Sequence, residues 1–187
     1  MIQEIIAQVF GAGAVTFMFL GYLKTTKKKY LFMQILCNIF FALQFGFLGA
    51  TSAVGVCVIT IFKSLGYYIY AKDDKDIPIP LLLAVELVTI VWGFVVVTDV
   101  QSAMPIVISC VYTYATWQKN LKLTYVTGTT VSVLWVVYYI IVGAYISIIG
   151  SGAEFVASVI GITKLIRLGK ASKDTPMVSE AETKESE

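Results

Sequence analysis

The 187 residues contain no histidine. That removes the commonest metal ligand and the usual general base near neutral pH. Cysteine is sparse and odd in number: Cys37, Cys57 and Cys110, each inside an apolar run. They read as small buried hydrophobes and not as a disulfide frame or a metal site. Charge is also scarce, at 14% of residues, and a net charge of +2 is too small to point to nucleic acid. No basic cluster is interleaved with aromatic residues as a strand-binding surface requires. Walker loop, zinc signature and nucleophile elbow are all missing, and "GSGA" at 150–153 has no histidine to activate Ser151. No catalytic residue, metal or cofactor is expected, and the chain is not expected to be an enzyme. The first residues carry Glu4 and no basic residue ahead of the first apolar run, so a signal peptide is not expected either.

Apolar residues dominate instead. They make up 58% of the chain, with a mean hydropathy of +0.82, more than a soluble domain of this size can hide. Hydropathy separates seven runs, at 5–23, 31–49, 52–71, 78–98, 104–118, 124–144 and 146–167. Each is near the ~20 residues that cross a bilayer core as a helix, except the short fifth, where Pro105 suits a first turn. The polar stretch 168–187 reads as a disordered tail. The expected fold is all-α: a polytopic membrane protein of seven transmembrane helices in one domain, residues 1–167.

The lysines set a direction. Lys24, Lys27, Lys28 and Lys29 lie between spans one and two, Lys72 and Lys75 between three and four, and Lys119 and Lys122 between five and six. Lys164, Arg167, Lys170, Lys173 and Lys184 end span seven or follow it, and the other three loops hold no basic residue. The positive-inside rule then puts the N-terminus outside and the C-terminus in the cytoplasm.

An offset of 94 residues suggests a duplication. It lays "FLGA" at 47–50 on "IVGA" at 141–144, and Gln34, Asn38, Phe41 and Phe45 on Gly128, Ser132, Trp135 and Tyr139. Both sets share one helical face. The expected plan is repeat one over 5–71, a linker helix over 78–98 and repeat two over 104–167, parallel about an axis along the membrane normal.

"AQVFGAGA" at 7–14, the Leu48-Gly49 turn, Met104-Pro105 and "AEFVASVIGITKLIR" at 153–167 resemble the YgjV family of bacterial inner-membrane proteins. In the pattern associated with that family the third span of each half carries Asn-x-x-Arg. Here the matching positions are Thr60 and Lys63, then Lys164 and Arg167, so the basic position is kept and the amide is not. More distantly, the three-plus-one-plus-three plan is similar to the SWEET sugar facilitators and PnuC vitamin transporters. The resemblance implies a multi-pass protein of the bacterial inner membrane.

Polar residues inside the spans are the candidate site. Gln34 and Asn38 share a face, with Gln44 further along the same helix. Such amides often bond a neighbouring helix, worth ~0.6–2 kcal/mol each. Asn38 lies about 10 Å from the basic end, Glu86 about 12 Å and Lys63 about 12–14 Å. Lys63 and Glu86 match in depth and oppose in sign, which fits an ion pair or a functional site equally, while Glu154 has no evident partner. Trp135 and Tyr139 could stack a ring-bearing solute or simply pack. Tyr67, Tyr68 and Tyr70 read as an interfacial belt. The expected activity is passage of a small polar solute past Gln34, Asn38, Lys63, Glu86, Trp135 and Glu154, by rocking of two three-helix bundles. The rival is a non-transporting partner or assembly protein whose buried polar groups are structural. The expected partners are lipid and the solute, with a homo-oligomer left open.

Overall fold

A computed structural model describes residues 2–73 and 75–174, and the side chains of Glu154 and of residues 168–174 lie outside the described set. Seven α-helices follow one another: α1 (Ile2–Tyr22), α2 (Lys27–Phe47), α3 (Thr51–Lys72), α4 (Ile79–Val96), α5 (Val100–Trp117), α6 (Leu121–Val142) and α7 (Tyr145–Asp174). No strand occurs among the described residues. Six of the helices are long and apolar enough to cross a membrane; α5 is the exception.

Three boundaries lie four residues or more from the hydropathy runs. α2 starts at Lys27, because the Lys27 ammonium, too polar for an apolar window, is held by Gln118 O at 3.0 Å and Thr124 Oγ1 at 2.8 Å. α5 starts at Val100, where Asp99 and Ser102 form a capping box. Pro105 therefore lies inside α5 and not in its first turn. The N–H that proline lacks would have met the carbonyl of Gln101, which is exposed. α7 runs on to Asp174, and residues 175–187 of the expected tail lie outside the described set.

The helices close a ring. α1 packs on α2, α2 on α3, α3 on α5, α5 on α6, α6 on α7 and α7 on α1, while α4 rests outside against α3 and α5. Only Leu82, Thr89 and Gly93 of α4 are buried, and Phe94 is 85% exposed. Outward apolar side chains of this kind suit lipid, which does not penalise them.

The two tight turns are alike. Gly49, after α2, and Gly143, after α6, have φ of 73° and 80°, a left-handed conformation glycine adopts without steric cost. Ala50 N donates to Phe45 O and Ala144 N to Tyr139 O, both at 2.9 Å. These bonds satisfy helix-terminal carbonyls that lipid could not. Gln8 of α1 then clasps the second turn: its Nε2 donates to Gly143 O at 2.9 Å, and Ile146 N donates to its Oε1 at 3.1 Å.

Two packed clusters fill the ends of the ring. One gathers Cys37, Phe41, Phe45, Cys57, Tyr138 and Tyr139; the other Tyr22, Tyr30, Leu31, Tyr67, Leu121 and Tyr125. Tyr67 is thus a fully buried core residue and no part of an interfacial belt. Tyr68 does sit near the surface, 6.0 Å below the Lys28 ammonium.

Candidate functional site

Between the two clusters lies a cavity of about 110 Å³. Its polar wall comes from Gln34 and Asn38 of α2, Thr60 and Lys63 of α3, and Ser109 and Tyr112 of α5. Its aromatic wall comes from Phe17 and Tyr22 of α1, Tyr30 and Phe41 of α2, and Trp135 and Tyr139 of α6. Five of the six ring helices contribute, which only a closed ring permits. At ~10–15 Å³ of such space per water, the cavity has room for several waters or one small solute.

Lys63 is the one charged side chain in the described lining, and it is only 2% exposed. Its ammonium donates to Thr113 Oγ1 at 3.3 Å and stands 5.6 Å over the Tyr112 ring. Glu86 reaches it electrostatically from α4, outside the lining. The depth match of Lys63 and Glu86 thus becomes an electrostatic coupling across the ring wall.

The amides divide their work. Gln34 lines the cavity while its Oε1 accepts from Ser64 Oγ at 3.2 Å, joining α2 to α3. Asn38 also lines the cavity, and its Nδ2 donates to Gln34 O of its own helix at 2.8 Å. Gln44 is fully buried away from the cavity, where Ser147 Oγ donates to its Oε1 at 2.9 Å and ties α2 to α7.

Aromatic layers close both ends. Toward the lysine-bearing loops, the Tyr30 and Tyr112 hydroxyls bond each other, and the Tyr125 hydroxyl donates to Gly21 O and Lys24 O. Tyr22 and Tyr30 pack on Tyr125 with ring centroids 5.0 and 5.4 Å away. Toward the lysine-free loops, Trp135 stacks on Tyr139 at 5.7 Å and on Phe45 at 6.5 Å. A second pocket of about 220 Å³, beyond the tyrosine layer, is lined by Lys27, Lys75, Asp76 and Lys119.

The family model described as bacterial inner membrane protein, Imp-YgjV, matches residues 5–170. The chain belongs to this family. It is accordingly a multi-pass protein of the bacterial inner membrane, with several apolar helices in contact with lipid. No curated protein and no solved structure matches it.

In this Imp-YgjV chain the fold brings Gln34, Asn38, Lys63 and Trp135 to one cavity and sets Glu86 just behind it. The side chain of Glu154 lies outside the described residues. Sequence reasoning missed Tyr22, Tyr30, Ser109 and Tyr112. Tyr30 carried a signal, because Tyr30, Gln34 and Asn38 step by four along one helical face. Ser109 and Tyr112 carried none, because a helix with several hydroxyl residues does not reveal which face turns inward.

Proposed function

We propose that this protein is a facilitator or transporter of a small polar solute and not an enzyme. The observation that carries the reading is the cavity itself: a buried lysine, two amides and the hydroxyls of Thr60 and Ser109 held inside a ring of helices. Polar groups at membrane depth are costly and mark solute paths more often than the lipid face. The aromatic layers at either end fit the two gates that alternating access requires.

The moving parts in this reading are two parallel three-helix bundles, α1–α3 and α5–α7, with α4 as the linker. Three features support a parallel duplication. The cyclic helix order maps onto itself when α1, α2 and α3 replace α5, α6 and α7. Gly49 and Gly143, 94 residues apart, take the same left-handed turn. Of the paired α2 and α6 faces, Gln34, Asn38 and Phe41 line the cavity on one side, and Gly128, Trp135 and Tyr139 on the other. Rocking about a shared axis would open the tyrosine layer and the Trp135 layer in turn.

The rival reading, a non-transporting partner protein, draws on the helix-to-helix bonds of Gln8, Gln34 and Gln44. Purified protein in proteoliposomes, screened for flux of small metabolites, separates the two. Transport predicts that Asn38→Ala abolishes flux and leaves the unfolding midpoint near wild type. A lowered midpoint with no flux in any variant favours the structural role.

A further inference from the structure

The cavity wall carries charge of one sign. Lys63 is the one charged side chain in the described lining, and the Glu86 carboxylate that interacts with it electrostatically stands outside that lining. Lys63 spends one N–H on the neutral Thr113 hydroxyl, a bond that cancels no charge. The ion pairs among the described residues, Lys75 with Asp73 and Lys119 with Asp76, do not include it. An ammonium in a medium of low polarity is expensive to leave without a close counter-charge. Among the described residues no acidic side chain lines the cavity. One carboxylate bound in the cavity would supply that counter-charge.

The rest of the lining describes the body of the ligand. Thr60 and Ser109 share the cavity wall with Lys63, so the wall offers hydroxyl donors besides the ammonium. The same wall carries the rings of Phe41, Trp135 and Tyr139. Engineered apolar cavities of roughly 150 Å³ accept benzene, so about 110 Å³ sets the size near a single ring.

We propose that the central cavity takes a small planar organic monoanion, a carboxylate seated on Lys63 with its ring or chain among the aromatic side chains. The proposal rests on the transport reading and names the solute class for that same cavity. Neutral sugars would leave the positive charge uncompensated, and organic cations would be repelled by it.

Three probes of one shape test the charge: benzoate, benzyl alcohol and benzylammonium, added to the full chain in lipid nanodiscs. Thermal shift and quenching of tryptophan fluorescence report binding. Benzoate should stabilise the protein and quench it, at least about ten-fold more tightly than the other two. Lys63→Met should remove the benzoate response. Glu86→Gln, which leaves Lys63 unopposed, should tighten benzoate several-fold, so the proposal stays testable if Lys63→Met does not fold. Equal or better binding of benzyl alcohol or benzylammonium, an unchanged response in folded Lys63→Met, or weaker benzoate binding in Glu86→Gln would overturn it. Counterflow of labelled benzoate at neutral pH, with protein-free vesicles as the blank, separates the two claims. Binding without flux overturns the transport reading and keeps the anion site. Flux of a neutral or cationic solute without benzoate binding does the reverse.

Discussion

Single amides decide how α1, α2, α3 and α7 meet. Gln8 satisfies a carbonyl and an amide of the α6–α7 turn at once and ties α1 to it. Gln8→Ala should therefore cost about 1–2 kcal/mol, seen as a lower unfolding midpoint in detergent; an unchanged midpoint refutes the clasp. Gln44 is a less complete solution. Its Oε1 is bonded, yet its Nε2 is buried without a hydrogen-bond partner among the described residues. Asn38 differs from both, because its one bond stays within its own helix and its position is on the cavity wall. Substitutions at Gln8 should thus move stability, and substitutions at Asn38 should move function.

The helix ends carry their own predictions. Alanine at Gly49 or Gly143 must enter the left-handed region, so each change should destabilise the chain by roughly 1 kcal/mol. Thermal melts of the two single variants check this, and equal losses would mirror the equal geometry of the turns. At the start of α5, Ser102 N donates to Asp99 Oδ1 at 2.7 Å, and this backbone bond holds the exposed Asp99 carboxyl below the usual carboxylate range. A lowered folded value means the cap is at full strength above the ordinary aspartate pKa of about 3.9 and fades as pH falls through the folded value. Asp99→Ala should speed amide exchange at Ser102 and Ala103 at neutral pH, and the difference from wild type should shrink in strong acid. A difference that persists there would mean the cap is not electrostatic.

Across the whole molecule, the lysine-bearing loops meet at one end. Lys27 bonds Gln118 O and Thr124, Trp117 Nε1 donates to Ile77 O at 2.8 Å, and Lys119 lies 3.4 Å from Asp76. That end is proposed to be cytoplasmic under the positive-inside rule. In a background lacking Cys37, Cys57 and Cys110, an impermeant thiol reagent added outside should label Thr51→Cys and Tyr145→Cys and spare Thr26→Cys and Asn120→Cys. All four positions are exposed on the protein, so the membrane alone would set the difference. Labelling of Thr26→Cys or Asn120→Cys in sealed cells reverses the orientation.

The number and kind of elements were legible in the sequence because lipid imposes a length and an apolar composition on anything that crosses it. All seven hydropathy runs became helices, and even the anomaly of the fifth was visible. The turn glycines and the inward position of Asn38 were legible as well, since local backbone geometry and helical periodicity act over a few residues. The rest needed the ring. Pro105 fell inside α5 because the capping box three residues deep outweighs a generic preference for proline at a helix start. Tyr67 went to the core and Tyr68 to the surface, a choice of helix rotation that an apolar run does not encode. The meeting of Lys63, Thr113, Tyr112 and Glu86 joins three helices through contacts 23 to 50 residues apart in the chain, and only packing sets such distances. The sequence by itself determined a seven-helix membrane protein with polar groups at mid-depth. The tertiary structure decided that Gln34, Asn38, Lys63 and Trp135 share one cavity, because hydropathy is a property of each segment and a cavity belongs to the space between them.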